Sequence, residues 1–347
     1  MPYKDGLHSS STNKVYLTTS RVKLVRSLIE FLSGSKRKSN QREYHSEFGG
    51  NWVDLVNAKD ILNVKLASNS LSSELANSIL FFIENGYVII PQAVDHALID
   101  AYLNDLGTVT GPASELKVSV PVIGPQDKDV VAIGEVDIRQ PLVKILDTYV
   151  QLDSARKIIF SAAIVKFLKA VFDSGILAFQ SLHFEIGSTQ AIHQDTAYVV
   201  LDEPMKLCAS WIALEDIQPG SGELMYYPGS HRLPDWIYSK KFKHFNHERD
   251  SHQAHLAHLE WLHTESKKRG FDLDHFYPKK GDALIWAADL AHGGAPIHDK
   301  GKTRRSLVAH YTNFENNPHY FRFVKQKNRE KHAYNADDGL FYSTMYY

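Results

Sequence analysis

The chain has 347 residues, 43% hydrophobic and 23% charged, enough to bury one large core or a core with an extension. Its 39 basic and 40 acidic residues leave a formal net charge of -1, which excludes a global electrostatic attraction to nucleic acid or to an anionic membrane. The single cysteine, Cys208, excludes an intramolecular disulfide framework and a cysteine-rich zinc or iron–sulfur site.

The opening residues lack the apolar core of a secretory signal, and no stretch has the length of a membrane span. A cytoplasmic protein with no membrane-spanning segment is therefore expected. Residues 1–20 are polar, rich in Ser and Thr, and expected to be poorly ordered. Val22, Val25, Ile29 and Leu32 make one stripe of a short basic helix over 21–32, expected to pack on the main domain, and 33–42 reads as a solvated linker. This divides the chain into an N-terminal extension (1–70), a main domain (71–325) and a C-terminal tail (326–347).

From Ser73 the apolar periodicity predicts a helix that stops at Asn85-Gly86, followed by a buried strand over 87–91 and a second helix over 94–106. Short Val/Ile runs broken by Pro and Gly over 118–138 suggest strands and loops near a mouth, and 142–173 reads as helical in two parts. An all-β region begins at Ile176, where apolar residues alternate until Gly187-Ser188. Further strands are predicted over 193–201, 207–214, 222–227, 282–287 and 306–312, and such short strands with Gly/Pro turns argue for a jelly roll or barrel. A charged, His-rich insertion over 233–277 interrupts them, with a helix over 251–268. His252, His255 and His258 lie three apart on it, but no carboxylate or Cys completes a ligand set, so the helix reads as solvated and as part of a lid over the site.

The chemistry concentrates in Ala191-Ile192-His193-Gln194-Asp195-Thr196. On a strand, the period of two puts His193 and Asp195 on one face. One distant His would complete a two-His-one-carboxylate triad that leaves three positions of an iron(II) open, and His292 in the turn His292-Gly293-Gly294 is the third ligand expected. H-x-D alone occurs often by chance, and 14 of the 18 histidines fall between His183 and His319, so only position in the fold decides. On a strand from Arg304, residues Arg304, Ser306, Val308 and His310 share one face and Arg305, Leu307, Ala309 and Tyr311 the other, so one of the two arginines points inward.

Taken together, His193-Gln-Asp-Thr196, Trp211-Ile-Ala-Leu-Glu-Asp216, Gly220-Ser-Gly-Glu-Leu224, Tyr227-Pro-Gly-Ser-His-Arg232, His292-Gly293 and Arg304-Arg-Ser-Leu307, in that order, resemble the phytanoyl-CoA dioxygenase family of iron(II)- and 2-oxoglutarate-dependent oxygenases. The resemblance spans residues 85–311. It implies a mainly β protein with packed helices, built on a double-stranded β-helix of the jelly-roll, cupin-like type. It also implies Fe(2+) as cofactor with 2-oxoglutarate and O2 as co-substrates, and His193, Asp195 and His292 as metal ligands. Gln194 and Trp211 would line the co-substrate pocket, and Arg304, with Arg305 as alternate, would bind the far carboxylate of 2-oxoglutarate. A planar guanidinium suits that bidentate role better than Lys does. Gly294 stands where some members carry a hydroxyl, a contact that Thr196, Tyr198 or a residue near His183 would supply instead. Asp195 argues against halogenation, since related halogenases carry a small residue there.

The resulting expectation is hydroxylation of a small or medium polar molecule such as a sugar, an amino-acid derivative or a natural-product intermediate, with 2-oxoglutarate converted to succinate and CO2. His183, Tyr198, Tyr226, His231 and Arg232 are the candidates for the substrate wall, although Gly229-Ser-His-Arg232 also suits a plain turn. Two other classes stay open at this point. One is a non-catalytic jelly-roll binding protein with a structural metal, and the other is a metal-dependent cupin-type isomerase or lyase that needs no 2-oxoglutarate.

Overall fold

The computed structural model describes residues 43–110, 114, 116–120, 130–319, 330–334 and 340–343. The polar start over 1–20, the expected helix over 21–32, the linker over 33–42 and the stretch 121–129 lie outside the described residues.

Helices α1 (Ala58–Ala67) and α2 (Ser73–Asn85), strand β1 (Tyr87–Ile90) and helix α3 (His96–Val109) come first. Ser72 caps α2 by accepting the Leu75 amide, and Gly86 closes it at φ 79°, a left-handed conformation that leads straight into β1. Strands β2 (Lys117–Ser119), β3 (Val130–Ala132) and β4 (Lys144–Leu146) follow, then helices α4 (Thr148–Gln151), α5 (Asp153–Ile159) and α6 (Ala162–Phe172). The expected helix from 142 is thus wrong at its start, where β4 pairs with the sheet. A short apolar run such as Val143-Lys-Ile-Leu146 does not distinguish helix from strand by its period.

The remaining strands are β5 (Ile176–Phe184), β6 (Val200–Leu201), β7 (Leu207–Ala213), β8 (Leu224–Tyr226), β9 (Asp274–Phe276), β10 (Ala283–Ala287), β11 (His292–Gly294), β12 (Ser306–Asn313), β13 (Pro318–His319), β14 (Glu330–Ala333) and β15 (Leu340–Ser343). The large sheet runs β1-β10-β7-β12-β5-β4-β2-β3 with antiparallel neighbours along that path, β15 joins it in parallel beside β5 and pairs with β14, and a smaller sheet runs β11-β8-β9. The architecture is a mainly β double-stranded β-helix with helices packed on one side.

Alternation along the large sheet separates its two faces. Cys208 and Ile212 of β7, Ile285 of β10 and Leu307, Ala309 and Tyr311 of β12 pack on the helices, with Ile79, Phe82, Ile164 and Leu168. Trp211, Trp286 and Val308 point the other way, onto Leu224, Tyr226 and Phe276 of the smaller sheet. A register shift opposite His310/Tyr311 breaks the alternation in β5, so that neighbours Phe179 and Gln180 both line the inner cleft.

Helix α7 (His252–Lys268) lies in the chain between β8 and β9. It is less solvated than its sequence suggests. His258 is buried, bonded at Nδ1 to the Tyr238 hydroxyl (2.8 Å), and packed against Trp236 and Trp261, while His255 stacks on Phe245. No helix among the described residues is long and apolar enough to cross a membrane.

Candidate active site

His193 and His292 face each other across an isolated antiparallel bridge, each backbone N–H donating to the other's carbonyl at 2.8 and 2.9 Å. The pairing brings their ring centroids to 4.4 Å. Residues 193–201 do not form the expected strand. Asp195 instead opens a 3-10 turn over Asp195–Ala197, and only Val200–Leu201 forms a strand. The turn puts Asp195 Oδ1 3.8 Å from His193 Nε2 and 3.7 Å from His292 Nε2. One ligand atom from each of the three lies within 4.8 Å of the others, and all three residues are buried.

Neighbouring groups fix which atoms face the gap. The Nδ1 of His193 contacts Ala191 O at 2.8 Å, and that of His292 contacts Leu290 O at 2.9 Å. A carbonyl only accepts, so both Nδ1 atoms donate to it, and both Nε2 atoms are turned toward the gap. Burial, reinforced by His292, pushes the His193 imidazole down to about 3, so it is neutral at neutral pH. Asp195 Oδ2 accepts from Trp286 Nε1 at 2.7 Å and faces His310 Nε2 at 3.6 Å, which leaves Oδ1 for the gap. Burial alone would raise this carboxyl, but the imidazoles of His292, His310 and His193 hold it well below the usual carboxylate range. Two imidazole Nε2 atoms and one carboxylate oxygen on one side of a gap fit a six-coordinate iron(II) and leave three positions for other ligands.

The triad opens into a cleft of about 780 Å³ whose walls include Phe184, Trp211, Leu224, Trp286, Val308 and Arg304. Arg304 is 2% exposed, and its Nη1 donates to Ser306 Oγ at 3.0 Å, while its Nε has no hydrogen-bond partner. Phe184 and Trp211 flank the guanidinium at 5.1 and 5.4 Å. Burial lowers its pKa to about 10, which leaves it charged at neutral pH. A fixed cation with unused donors borders the same cleft as the three convergent donors.

A family model described as phytanoyl-CoA dioxygenase (PhyH) matches residues 82–306. The chain belongs to the phytanoyl-CoA dioxygenase family. With the three convergent donors, membership makes it a non-haem iron, 2-oxoglutarate-dependent oxygenase. The non-heme alpha ketoglutarate dependent epimerase SnoN from nogalamycin biosynthesis, in complex with Fe3+, alpha ketoglutarate and nogalamycin RO, shares the fold. It is 18% identical over 70% of this chain and 85% of that chain, with a TM-score of 0.52. The non-heme alpha ketoglutarate dependent carbocyclase SnoK, also from nogalamycin biosynthesis, is 17% identical over 71% of this chain and 85% of that chain, with a TM-score of 0.51. No curated protein matches the sequence.

Within this oxygenase fold, several residues singled out in the sequence lie away from the cleft. Gln194 Nε2 donates to Asp289 O at 2.9 Å and Thr196 Oγ1 to Asp289 Oδ1 at 2.5 Å, so neither side chain lines the co-substrate space. His183 is on the helix-facing side of β5, between the Tyr102 hydroxyl (3.1 Å) and Glu185 (3.1 Å), because its neighbours Leu182 and Phe184 take the inner face. Tyr226 packs on Tyr87 with its hydroxyl 3.4 Å from Asp274. His231 Nε2 and the Arg232 guanidinium reach the Ile83 carbonyl near the end of α2, the structural role that a Gly-Ser-His-Arg turn also suits. Arg305 points outward and donates to Glu185 Oε2 at 3.0 Å. Of the residues proposed for co-substrate and substrate, the cleft brings together Trp211, Arg304 and Tyr198.

Other cleft residues escaped the sequence reading. Gln190 Nε2 lies 3.2 Å from His193 Nε2, at the edge of the coordination space. Lys144 on β4 reaches to within 3.5 Å of Gln190 Oε1, and burial lowers its pKa. His310 was legible, since it shares a strand face with Arg304. Trp286 and Lys144 carried no local signal, because only the sheet order places β10 and β4 beside the triad.

Proposed function

We propose that this chain hydroxylates a small or medium polar molecule, with His193, Asp195 and His292 holding iron(II) and Arg304 binding the far carboxylate of 2-oxoglutarate. The observation that carries this reading is the buried Arg304 guanidinium, whose Nε is unsatisfied in the same cleft as the triad. A buried cation with unused donors is costly unless an anion completes it, and a carboxylate matches the fork of a guanidinium. With its partners bound, the iron supplies oxidative decarboxylation of 2-oxoglutarate by O2 to succinate and CO2, coupled to oxidation of a substrate C–H bond.

The chain's own residues do the rest. Phe184 and Trp211 keep water from the Arg304 guanidinium and so strengthen its hold on a carboxylate. Trp286 and His310 restrict Asp195 to one ligating oxygen. Tyr198, Phe245, His247, Glu248 and His255 form the outer part of the cleft, and Tyr198 OH meets His255 Nε2 at 2.6 Å. This polar and aromatic mouth suits a substrate with hydrogen-bonding groups better than a bare hydrocarbon.

The test is succinate formation from 2-oxoglutarate by iron-loaded protein on admission of oxygen, comparing the wild type with Asp195→Ala and Arg304→Ala. Wild-type turnover lost in both variants supports the reading. Iron binding without any 2-oxoglutarate binding would sink it in favour of an isomerase, lyase or binding protein. The names of SnoN and SnoK, an epimerase and a carbocyclase, favour a second outcome on this fold, in which substrate C–H oxidation is not followed by oxygen insertion. Mass analysis of product made under ¹⁸O2 separates the two, since only hydroxylation adds the label.

A further inference from the structure

Lys243 lies in the insertion, 4% exposed, with its ammonium between two carboxylates: Asp235 Oδ1 and Asp289 Oδ2, each at 2.5 Å. Asp289 is itself 2% exposed and three residues before His292. Its other carboxylate oxygen accepts from Thr196 Oγ1, and its backbone carbonyl accepts from Gln194 Nε2. Those two donors flank Asp195. Asp289 therefore joins the segment that carries Asp195 to the segment that carries His292, and Lys243 is the only cation paired with it among the described residues. At its other end the network reaches residues 46 and 47, whose Ser46 hydroxyl and Glu47 amide donate to Asp235 at 2.9 and 2.8 Å.

We propose that Lys243 is a positioning residue for the metal centre, clamping Asp289 so that the Asp195 and His292 segments keep the spacing a metal ion needs. The inference rests on the reading of His193, Asp195 and His292 as metal ligands. A buried carboxylate deprived of its cation either turns toward water or takes up a proton. Either change breaks or reverses the Thr196 hydrogen bond beside Asp195 and loosens the turn into His292. The insertion is then part of the scaffold of the metal site as well as a wall of its cleft. Its cation is held by carboxylates on both sides: burial by itself would lower the Lys243 pKa, but Asp289 and Asp235 raise it. The ammonium is therefore permanent across the working range.

The experiment measures cobalt(II) affinity and the visible ligand-field spectrum of the cobalt-substituted full chain, with thermal melting alongside. The variants are Lys243→Met, Asp289→Asn and the double Lys243→Met/Asp289→Asn. Lys243→Met is expected to lower cobalt affinity roughly 10- to 100-fold, the range seen when groups that orient metal ligands are lost, and to alter the spectrum. Asp289→Asn keeps an acceptor for Thr196 and removes the charge, so its loss is smaller, and the double variant matches Asp289→Asn rather than adding to it. If Lys243→Met does not fold, the comparison of the double variant with Asp289→Asn decides, and a further tenfold loss in the double variant overturns the proposal. Melting lowered in Lys243→Met with affinity and spectrum unchanged also overturns it, leaving Lys243 as an anchor of the insertion alone. A wild type that binds no cobalt overturns instead the reading of the triad as ligands, and this inference falls with it.

Discussion

Trp286 donates its indole N–H to Asp195 Oδ2 across 2.7 Å, and the two residues are 91 positions apart in the chain. The bond holds one carboxylate oxygen away from the His193–His292 gap and so decides that Asp195 offers a single atom there. Trp286→Phe keeps an aromatic ring on β10 and removes the donor. Without it the carboxylate is free to turn and offer both oxygens, which would take up a coordination position needed by co-substrates. The expected result is a fall in iron(II) affinity of roughly 10- to 100-fold, with 2-oxoglutarate decarboxylation falling further than affinity alone explains. Metal titration and succinate formation on the same preparation check it, and unchanged values for both would show that His310 alone restrains Asp195.

The two consecutive arginines make a paired prediction. Arg304→Lys replaces a fork by a point charge in the buried position and is expected to raise the KM for 2-oxoglutarate by about tenfold or more, with melting little changed. Arg305→Lys acts on the outer face, where the partner is Glu185. It is expected to leave the KM alone and to cost about 1 kcal/mol or less, since this arginine side chain is one-third exposed. If Arg305→Lys rather than Arg304→Lys raised the KM, the assignment of faces on β12 would be wrong.

Much of this arrangement could be read from the chain, and the rest could not for identifiable reasons. Strands such as Leu207–Ala213 and Ser306–Asn313 were legible in position as apolar runs bounded by turns, and the faces of the second followed from the period of two that any strand has, although both strands are buried on both faces. The triad residues stood out by type and spacing, yet the route by which His193 and Asp195 converge did not. A bridge to His292 and a 3-10 turn do the work assigned to a strand. Gln194 and Thr196 looked like pocket residues by adjacency. They turn instead to Asp289, whose partner Lys243 is 46 positions away in a charged insertion, where local pattern carries no information about pairing. His183 failed as a wall residue because the break of alternation in β5 is set by its register against β12.

Gly293 tests how tightly the His193–His292 bridge is built. A Cβ there would stand 2.7 Å from Gln190 O and 3.0 Å from the Ile192 amide nitrogen, both backbone atoms that cannot swing aside. Gly293→Ala is therefore expected to push the 190–192 segment off β11, at a cost of about 1–3 kcal/mol, and to open the ligand pair. Melting should drop and iron(II) binding weaken together. A variant that melts lower but binds iron as the wild type does would mean that the bridge relaxes without moving the imidazoles.

Glu185 gives the fold a defined acid limb. Burial alone would raise its carboxyl, but the hydrogen bond and charge of His183 and the Arg305 guanidinium overcome this and hold it at about 2, against 4.5 for an unperturbed glutamate. The unfolded chain therefore takes up this proton at a higher pH than the folded protein does. The stabilisation is complete above the unfolded value, erodes as pH falls from about 4.5 toward 2, and amounts to at most about 3 kcal/mol. Glu185→Gln removes the titrating group while keeping an acceptor for His183 and Arg305. Its melting temperature should lie below that of the wild type at neutral pH, and the gap should close as pH falls through that window. Curves that stay parallel down to the acid limit would show that other carboxyls govern acid unfolding and that the Glu185 pair adds nothing to folding.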